Sequence, residues 1–241
     1  MGRVLLVVAL ISIAGCSSGP DPLTRVHDAA AALEEAGGFH VRPIYRVDMP
    51  EGYAASPFPS GGEGSVDLGR DIASVKFSGA DGSSWTTIRV AGIVYTSGGA
   101  VADGPDWCAK SAATSDPAAD AGGLAQLGQS FDVLPRLLSG ATQAHELGTA
   151  ADPSVTRYAT TVDLRRAGLA DAANIVGNTL AVEVWLDEAG MPVRVSYGFD
   201  IAFDGALSPA KVAVAITMSG FGTGVSVAAP DAAETASAPD C

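Results

Sequence analysis

Residues 179–203 carry the most regular hydrophobic pattern in the chain, and this pattern restricts the fold more than any other feature. Every second side chain from Leu180 to Leu186 is apolar, while those between are mostly small or polar, which is the period of an extended strand with two different faces. Gly190 then lies in a short turn segment, where a glycine can adopt the positive φ that closes a hairpin. The alternation resumes from Val193 to Phe203, so the segment predicts a β-hairpin.

A third run with the same period, from Val212 to Met218, follows the hairpin and predicts an antiparallel meander of three strands. One face of this meander carries fourteen apolar side chains. Burial of one Val, Leu, Ile or Phe side chain contributes about 1.5–3 kcal/mol, so a face of this size left in water would cost more than the net stability of a domain. Another part of the molecule, or a ligand, must cover it.

The rest of the chain alternates between helical and extended patterns. Helical spacing is found at residues 22–37, after an N-cap at Asp21, at residues 124–139 with a break or new start at Pro135, and at residues 164–173. Extended segments are predicted at residues 39–47, 65–68, 72–77, 84–90, 93–95 and 155–162. Residues 49–64 and 98–123, rich in Gly, Pro, Ser or Ala, predict loops, the second anchored by Trp107. The order is typical of an α+β fold in which helices gather on one face of an antiparallel sheet.

Composition limits the classes of function. A chain of 241 residues that is 47% hydrophobic predicts one large domain. The formal charge of −13, with only 14 Lys and Arg, argues against a basic surface that binds nucleic acid or anionic lipid headgroups. The three histidines are far apart, and neither HExxH nor GxSxG occurs, so we expect no metal, no cofactor and no catalytic residue.

The N-terminus resembles that of a bacterial lipoprotein. Arg3 precedes an apolar run at residues 4–13 that is too short to span a bilayer, and the sequence Ile-Ala-Gly-Cys ending at Cys16 resembles a lipobox. The resemblance implies a signal peptide at residues 1–15, an acylated Cys16, a tether at residues 16–21, and attachment to the outer face of the cytoplasmic membrane. An ordinary secretory signal with an incidental cysteine is the alternative.

Two further cysteines, Cys108 and Cys241, remain once Cys16 is assigned to the lipobox. In an oxidising compartment a pair of remaining cysteines more often bridges than stays free. We therefore predict a Cys108–Cys241 disulfide that ties the C-terminal residues 231–241, otherwise a loosely ordered tail, to the domain. Two unpaired thiols are the alternative, because the sequence does not show how close the two residues lie.

Several segments together resemble the LolA-like half-barrel, and within it the LppX/LprG-type lipid-carrying lipoproteins of the actinobacterial envelope. The resemblance rests on the order and spacing of these segments, not on any one of them, and it covers nearly the whole mature chain. They are the lipobox, IRVAGIVY at 88–95 followed by Trp107, DVLPRLLSGA at 132–141, RYATTVDL at 157–164, VEVWLDEAGMPVRV at 182–195 and the closing segment 220–230.

The resemblance implies one lipid-binding domain at residues 22–230. In it, a strongly curved antiparallel half-barrel sheet has helices covering its concave face, with a cavity for acyl chains between them. The implied ligand is a lipid or glycolipid, no catalytic residues are carried over, and no protein partner is indicated. On the predicted meander, the residues expected to line such a cavity are Val182, Val184, Val195, Tyr197, Phe199, Val214 and Ile216.

A second hypothesis stays open from the residues alone. In it, the predicted helices pack dry against the apolar face, and the protein is a membrane-anchored interaction or sensor module without a lipid ligand. The strand pattern is the same in both cases, because it fixes the apolar face and not what covers that face.

Overall fold

The computed structural model describes residues 19–50, 59–97, 106–111, 131–169, 175–202 and 207–237. The predicted signal peptide, Cys16, Phe203 and Cys241 lie outside these ranges, as do most of the loop predicted at 98–123 and the first part of the helix predicted at 124–139. The described ranges contain two α-helices, one 3₁₀ helix and twelve strands.

The helices are α1 (Pro22–Glu35), α2 (Val133–Ser139) and the 3₁₀ helix Ala232–Glu234. The strands are β1 (Gly38–Asp48), β2 (Pro59–Asp67), β3 (Ile72–Gly79), β4 (Ser84–Val90), β5 (Ile93–Ser97), β6 (Trp107–Ser111), β7 (Ala141–Thr149), β8 (Thr156–Asp163), β9 (Thr179–Leu186), β10 (Pro192–Ile201), β11 (Ala210–Ser219) and β12 (Thr235–Ser237).

All twelve strands form one sheet in the order β12-β6-β5-β4-β3-β2-β1-β11-β10-β9-β8-β7. Every pair is antiparallel except β12 with β6, which is parallel. The sheet is large and curved, and it does not close into a barrel, because β12 and β7 are left at its two edges. The predicted curved antiparallel sheet is therefore confirmed.

The predicted meander is also confirmed, as β9, β10 and β11. Gly190 has a φ of 83° in the turn between β9 and β10, and the Asp187 backbone N–H donates to the Met191 carbonyl at 3.0 Å across that turn. Strand β1 then pairs with β11, so the N-terminal half of the sheet is joined to the meander along residues 40–48.

Helix α1 confirms the predicted N-terminal helix. The Asp21 carboxylate accepts from the backbone N–H groups of Leu23 and Thr24, and Pro22 takes the first helical position, where its missing N–H costs nothing. Its buried stripe, formed by Val26, Ala29, Ala30 and Leu33, belongs to the same hydrophobic core as the sheet. The helix packs against α2, β7 and β8.

Helix α2 begins at Val133 and has Pro135 in its first turn. A proline is tolerated there because the first backbone N–H groups of a helix have no partner within it. The expected new start near Pro135 is thus observed, and Leu134, Leu137 and Leu138 are fully buried.

Besides β12, three strands lie where loops were predicted or no element was predicted. Strand β2 begins at Pro59 within the loop predicted at 49–64, and its glycines permit unusually close strand contact: a Cβ on Gly64 would lie 2.1 Å from the Ser74 carbonyl oxygen. Strand β6 occupies residues 107–111 of the second predicted loop. Strand β7 has no apolar alternation, because it is an exposed edge strand with two irregularities in its pairing.

The helix predicted at residues 164–173 is wrong over its described part, which is a turn. The Asp163 carboxylate accepts from the backbone N–H groups of Arg165 and Arg166, and Gly168 has a φ of 65°, which ends any helical path. The Arg136 side chain of α2 donates to the carbonyls of Ala167 and Gly168 and holds this turn against the helix.

The C-terminal residues also differ from the predicted tail. The 3₁₀ helix Ala232–Glu234 is capped by Asp231, whose carboxylate accepts from the Ala233 N–H at 2.9 Å. Strand β12 then adds to the sheet beside β6. Residues 235–237 consequently form part of the sheet edge, and the capped 3₁₀ helix leads into them.

Candidate functional site

The five strands β8, β9, β10, β11 and β1 form the central part of the site, and their register sorts side chains into two faces. We call the face that carries the buried apolar side chains the inner face, and the opposite one the outer face. On the inner face, strand pairing aligns one residue from each strand into a row: Tyr45, Val214, Tyr197, Val182 and Thr160. All five of these side chains are buried.

The seven residues predicted to line a cavity all lie on the inner face, and each is at most 6% exposed. Val184, Val195 and Ile216 form one row across the meander, and the next row contains Val182, Tyr197 and Val214. Phe199 follows Tyr197 on β10, and the two rings stack with centroids 6.2 Å apart. The predicted residues are thus brought together as one continuous apolar surface.

Most of the fourteen apolar side chains predicted for this face are buried as expected. Val193 is only half-buried, because the pairing of β9 and β10 shifts between Pro192 and Arg194. Phe203 lies outside the described residues.

Two tyrosine hydroxyls are enclosed in this apolar surface. Burial raises the pKa of Tyr197, and burial together with the neighbouring Tyr197 raises the pKa of Tyr45. Both side chains are therefore neutral at physiological pH. Sequence reasoning selected Tyr197 but missed Tyr45, whose position in the same row follows from the pairing of β1 with β11.

Metal chemistry has no support in the described ranges, where no group of three or more His, Cys, Asp or Glu side chains is arranged to hold an ion. His27, the histidine of α1, lies with Nε2 3.0 Å from the Ala141 carbonyl oxygen and so links the helix to β7. Of the helices described above, none is long and apolar enough to cross a membrane.

A depression of about 740 Å³ lies at the centre of the five strands. Its lining includes Tyr45, Thr160, Val182, Tyr197 and Val214, but those inner side chains are buried, so the open surface belongs to the other face. The residues that line the depression from the outer face are exposed or half-buried, and most of them have small side chains. They are Ile44, Arg46, Ala159, Ala181, Glu183, Ser196, Gly198, Ala213 and Ala215. The depression is therefore a shallow trough on the outer face, where small side chains leave the sheet backbone uncovered.

The outer face beside this trough carries a pair of arginines around one aromatic ring. Pairing places Arg157 of β8 and Arg194 of β10 on either side of Trp185 of β9. Their guanidinium carbons lie 5.4 Å and 4.9 Å from the Trp185 ring centroid, within the range of cation–π contacts. Sequence reasoning missed this cluster, although arginines at outward positions of several strands were the available signal.

Comparison with solved structures decides the fold relationship. The crystal structure of the Mycobacterium tuberculosis lipoprotein LppX matches with a TM-score of 0.56 and 17% sequence identity, covering 88% of this chain and 100% of the LppX chain. The chain has an LppX-like fold. LppX thus confirms the resemblance seen in the sequence at the level of the fold.

Other comparisons add little to the likeness with LppX. The crystal structure of Rv2717c, also from M. tuberculosis, aligns with 79% of this chain and 97% of its own at 16% identity, but its TM-score of 0.23 is too low to support an argument. No protein-family model and no curated protein sequence matches the chain.

The buried tyrosines predict a loss of stability at alkaline pH. An unfolded tyrosine ionises near pH 10, whereas Tyr45 and Tyr197 keep their protons in the folded chain, since their pKa values are raised. Above about pH 10 the unfolded state therefore binds fewer protons, and the free energy of unfolding falls as the pH rises. Urea unfolding of the protein between about pH 8 and about pH 11 measures this slope.

The variant Tyr197→Phe removes one of these groups and makes the slope shallower, by at most about 1.4 kcal/mol per pH unit. Any hydrogen bond lost with the hydroxyl lowers stability equally at every pH, so the low-pH value serves as the internal control. A slope unchanged by the substitution contradicts the assignment of Tyr197 as a buried neutral group.

Proposed function

We propose that the protein is a cell-envelope lipoprotein that binds lipid or acyl chains against the inner face of its sheet and carries or presents them without catalysis. The observation that carries this proposal is the continuous apolar surface of the meander within an LppX-like fold. An acyl chain is recognised by apolar area alone, so such a surface needs no catalytic or metal-binding group.

The small buried side chains of α1 support the proposal that the domain has space for a ligand. Ala29 and Ala30 take two of the four buried positions on that helix, and they fill less volume than the leucines of α2. A helix with a small-residue stripe can sit closer to the sheet or leave space above it. We propose that the space above the inner face is taken by acyl chains when lipid is present.

Attachment to the membrane is part of the same proposal. An acylated Cys16 would hold the domain by its lipid chains on the outer face of the cytoplasmic membrane, and the six residues of the tether would allow a reach of roughly 20 Å from that point. The domain would then collect or deliver lipid at the bilayer to which it is attached.

One observation favours the second hypothesis, an interaction module with a dry core. Val184 and Val195 are directly paired across β9 and β10, and both are completely buried. Packing of this kind is also expected in an ordinary core. The two hypotheses therefore differ in what happens when volume is added at these positions.

The deciding experiment is native mass spectrometry of the chain from residue 17 onward, which retains every described helix and strand. The carrier hypothesis predicts copurified lipid with this protein, and its loss in Val184→Trp with little change in stability, because the indole replaces part of the acyl chain. A dry core predicts no lipid, and destabilisation by about 1–3 kcal/mol in the variant.

The matched control is Thr217→Trp, which adds the same indole to the exposed outer face of β11. It keeps both lipid and stability under the carrier hypothesis. Wild-type protein that is free of lipid and does not take up a fluorescent fatty acid overturns the proposed function.

We also propose that Cys108 and Cys241 form a disulfide. Strand β12 supports the proposal, because its parallel pairing aligns Ala236 with Cys108 of β6. Cys241 follows Ala236 by only five residues, a distance that the chain can turn back across.

Thiol titration of the unfolded, unreduced chain from residue 17 tests this pairing. The disulfide predicts no reactive thiol before reduction and two afterwards, since Cys16 is absent. Two reactive thiols before reduction contradict the disulfide, and the variant Cys241→Ser, expected to expose one thiol at Cys108, serves as the control.

A further inference from the structure

The outer face of the central strands concentrates positive charge in an acidic protein. Arg42 and Arg46 lie two and six residues beyond His40 on β1, and strand pairing aligns Arg42 with Thr217 of β11 and then with Arg194 of β10. Arg157 of β8 continues this row beyond Trp185. We call the surface formed by Arg42, Arg46, Arg157, Trp185 and Arg194 the arginine face.

Three of these four arginines have no acidic partner within the described part of the chain. Arg157 donates to Glu183 at 3.1 Å, whereas Arg42, Arg46 and Arg194 form no ion pair with any described residue. All three are exposed. The arginine face therefore presents three guanidinium groups to solvent outside any ion pair with a described residue.

Repulsion between the positive charges of these arginines destabilises the sheet. Like charges near one another on the same face of a sheet destabilise it, and the chain has 27 Asp and Glu with which 14 Lys and Arg could have been paired. Acidic side chains of the same face include Glu183, which pairs with Arg157, and Glu63, which the register of β1 with β2 places opposite Arg42 without an ion pair. Asp48 and Asp200 flank Lys211 in a row beyond the trough. The net charge of −13, which argued against a basic surface, thus conceals a local one.

Apolar and aromatic side chains lie among the arginines. Trp185 packs between two guanidinium groups, and Ile44, between Arg42 and Arg46 on β1, is 56% exposed. The shallow trough floored by Ala181, Ala213, Ala215 and Gly198 adjoins them. Trp and Arg together with exposed aliphatic groups are the residues that proteins place at the headgroup level of a bilayer.

We propose that the arginine face docks on the anionic phospholipid headgroups of a bilayer. Its charge complements the lipid phosphates, Trp185 and Ile44 reach the boundary between headgroups and acyl chains, and the trough admits headgroups between the arginine side chains. From Arg42 on β1 to Arg157 on β8 the face spans four strand spacings, roughly 19 Å, which is wide enough to contact several lipids. The proposal is independent of whether the inner face binds a lipid.

Cosedimentation with vesicles tests the docking, again with the chain from residue 17. We expect binding to vesicles of equal parts phosphatidylglycerol and phosphatidylcholine, no binding to pure phosphatidylcholine, and release at about 1 M salt, where the Debye length is about 3 Å. One arginine near an anionic membrane changes partitioning by about fivefold. The variant Arg42→Ser/Arg46→Ser/Arg194→Ser is therefore expected to bind at least about tenfold more weakly.

Two further variants make the test specific. Arg70→Ser/Arg165→Ser/Arg166→Ser removes the same charge from exposed side chains in turns outside the arginine face and is expected to bind like wild type. Arg42→Lys/Arg46→Lys/Arg194→Lys keeps the charge and is expected to retain binding. Circular dichroism and the lipid mass of each variant separate loss of docking from loss of the fold or of lipid in the domain.

The proposal is overturned if the wild-type chain does not bind the phosphatidylglycerol vesicles, or if the Ser variant of the arginine face binds as well as the Ser control. Binding to soluble polyglutamate, with no binding to vesicles, also overturns it and assigns the face to an acidic protein partner instead.

Discussion

The register between β1, β11, β10 and β9 is the constraint on which the other features of this protein depend. Because side chains alternate between the faces of a strand, a slip of one residue would exchange the two faces entirely. In the observed register, Val195 meets Val184 on one side and Ile216 on the other, while Trp185 meets Arg194 and, on its other side, Arg157. The apolar inner face and the arginine face are therefore two consequences of one pairing.

This constraint also connects the proposed activities. A sheet that binds acyl chains on one face and lipid headgroups on the other would be held at the membrane from which its ligand comes. The two surfaces share strands but no side chains, so substitutions on one face are expected to leave the other intact. Helix α1, fixed at its start by the Asp21 cap and linked to β7 through His27, supports the sheet next to its free edge.

Strong alternation and clear capping made much of the fold predictable from sequence. The meander, β1, β8 and α1 follow from apolar periods and from Asp21 with Pro22, and all seven predicted inner-face residues lie together. Strands β2, β6 and β7 were not predictable in this way, because β2 is rich in glycine, β6 has only five residues, and β7 is an edge strand without an apolar period. The arginine face and Tyr45 depend on register between strands distant in sequence, which a single sequence does not reveal.

The most direct test of the account is to find where an acyl chain lies in the protein. A fatty acid with a photoreactive diazirine near its methyl end, crosslinked to the chain from residue 17 and mapped by peptide mass spectrometry, gives that position. The account predicts labels on inner-face side chains of β9, β10 and β11, such as Val184 and Val195. Labels confined to the outer-face trough, or no saturable labelling, would contradict it.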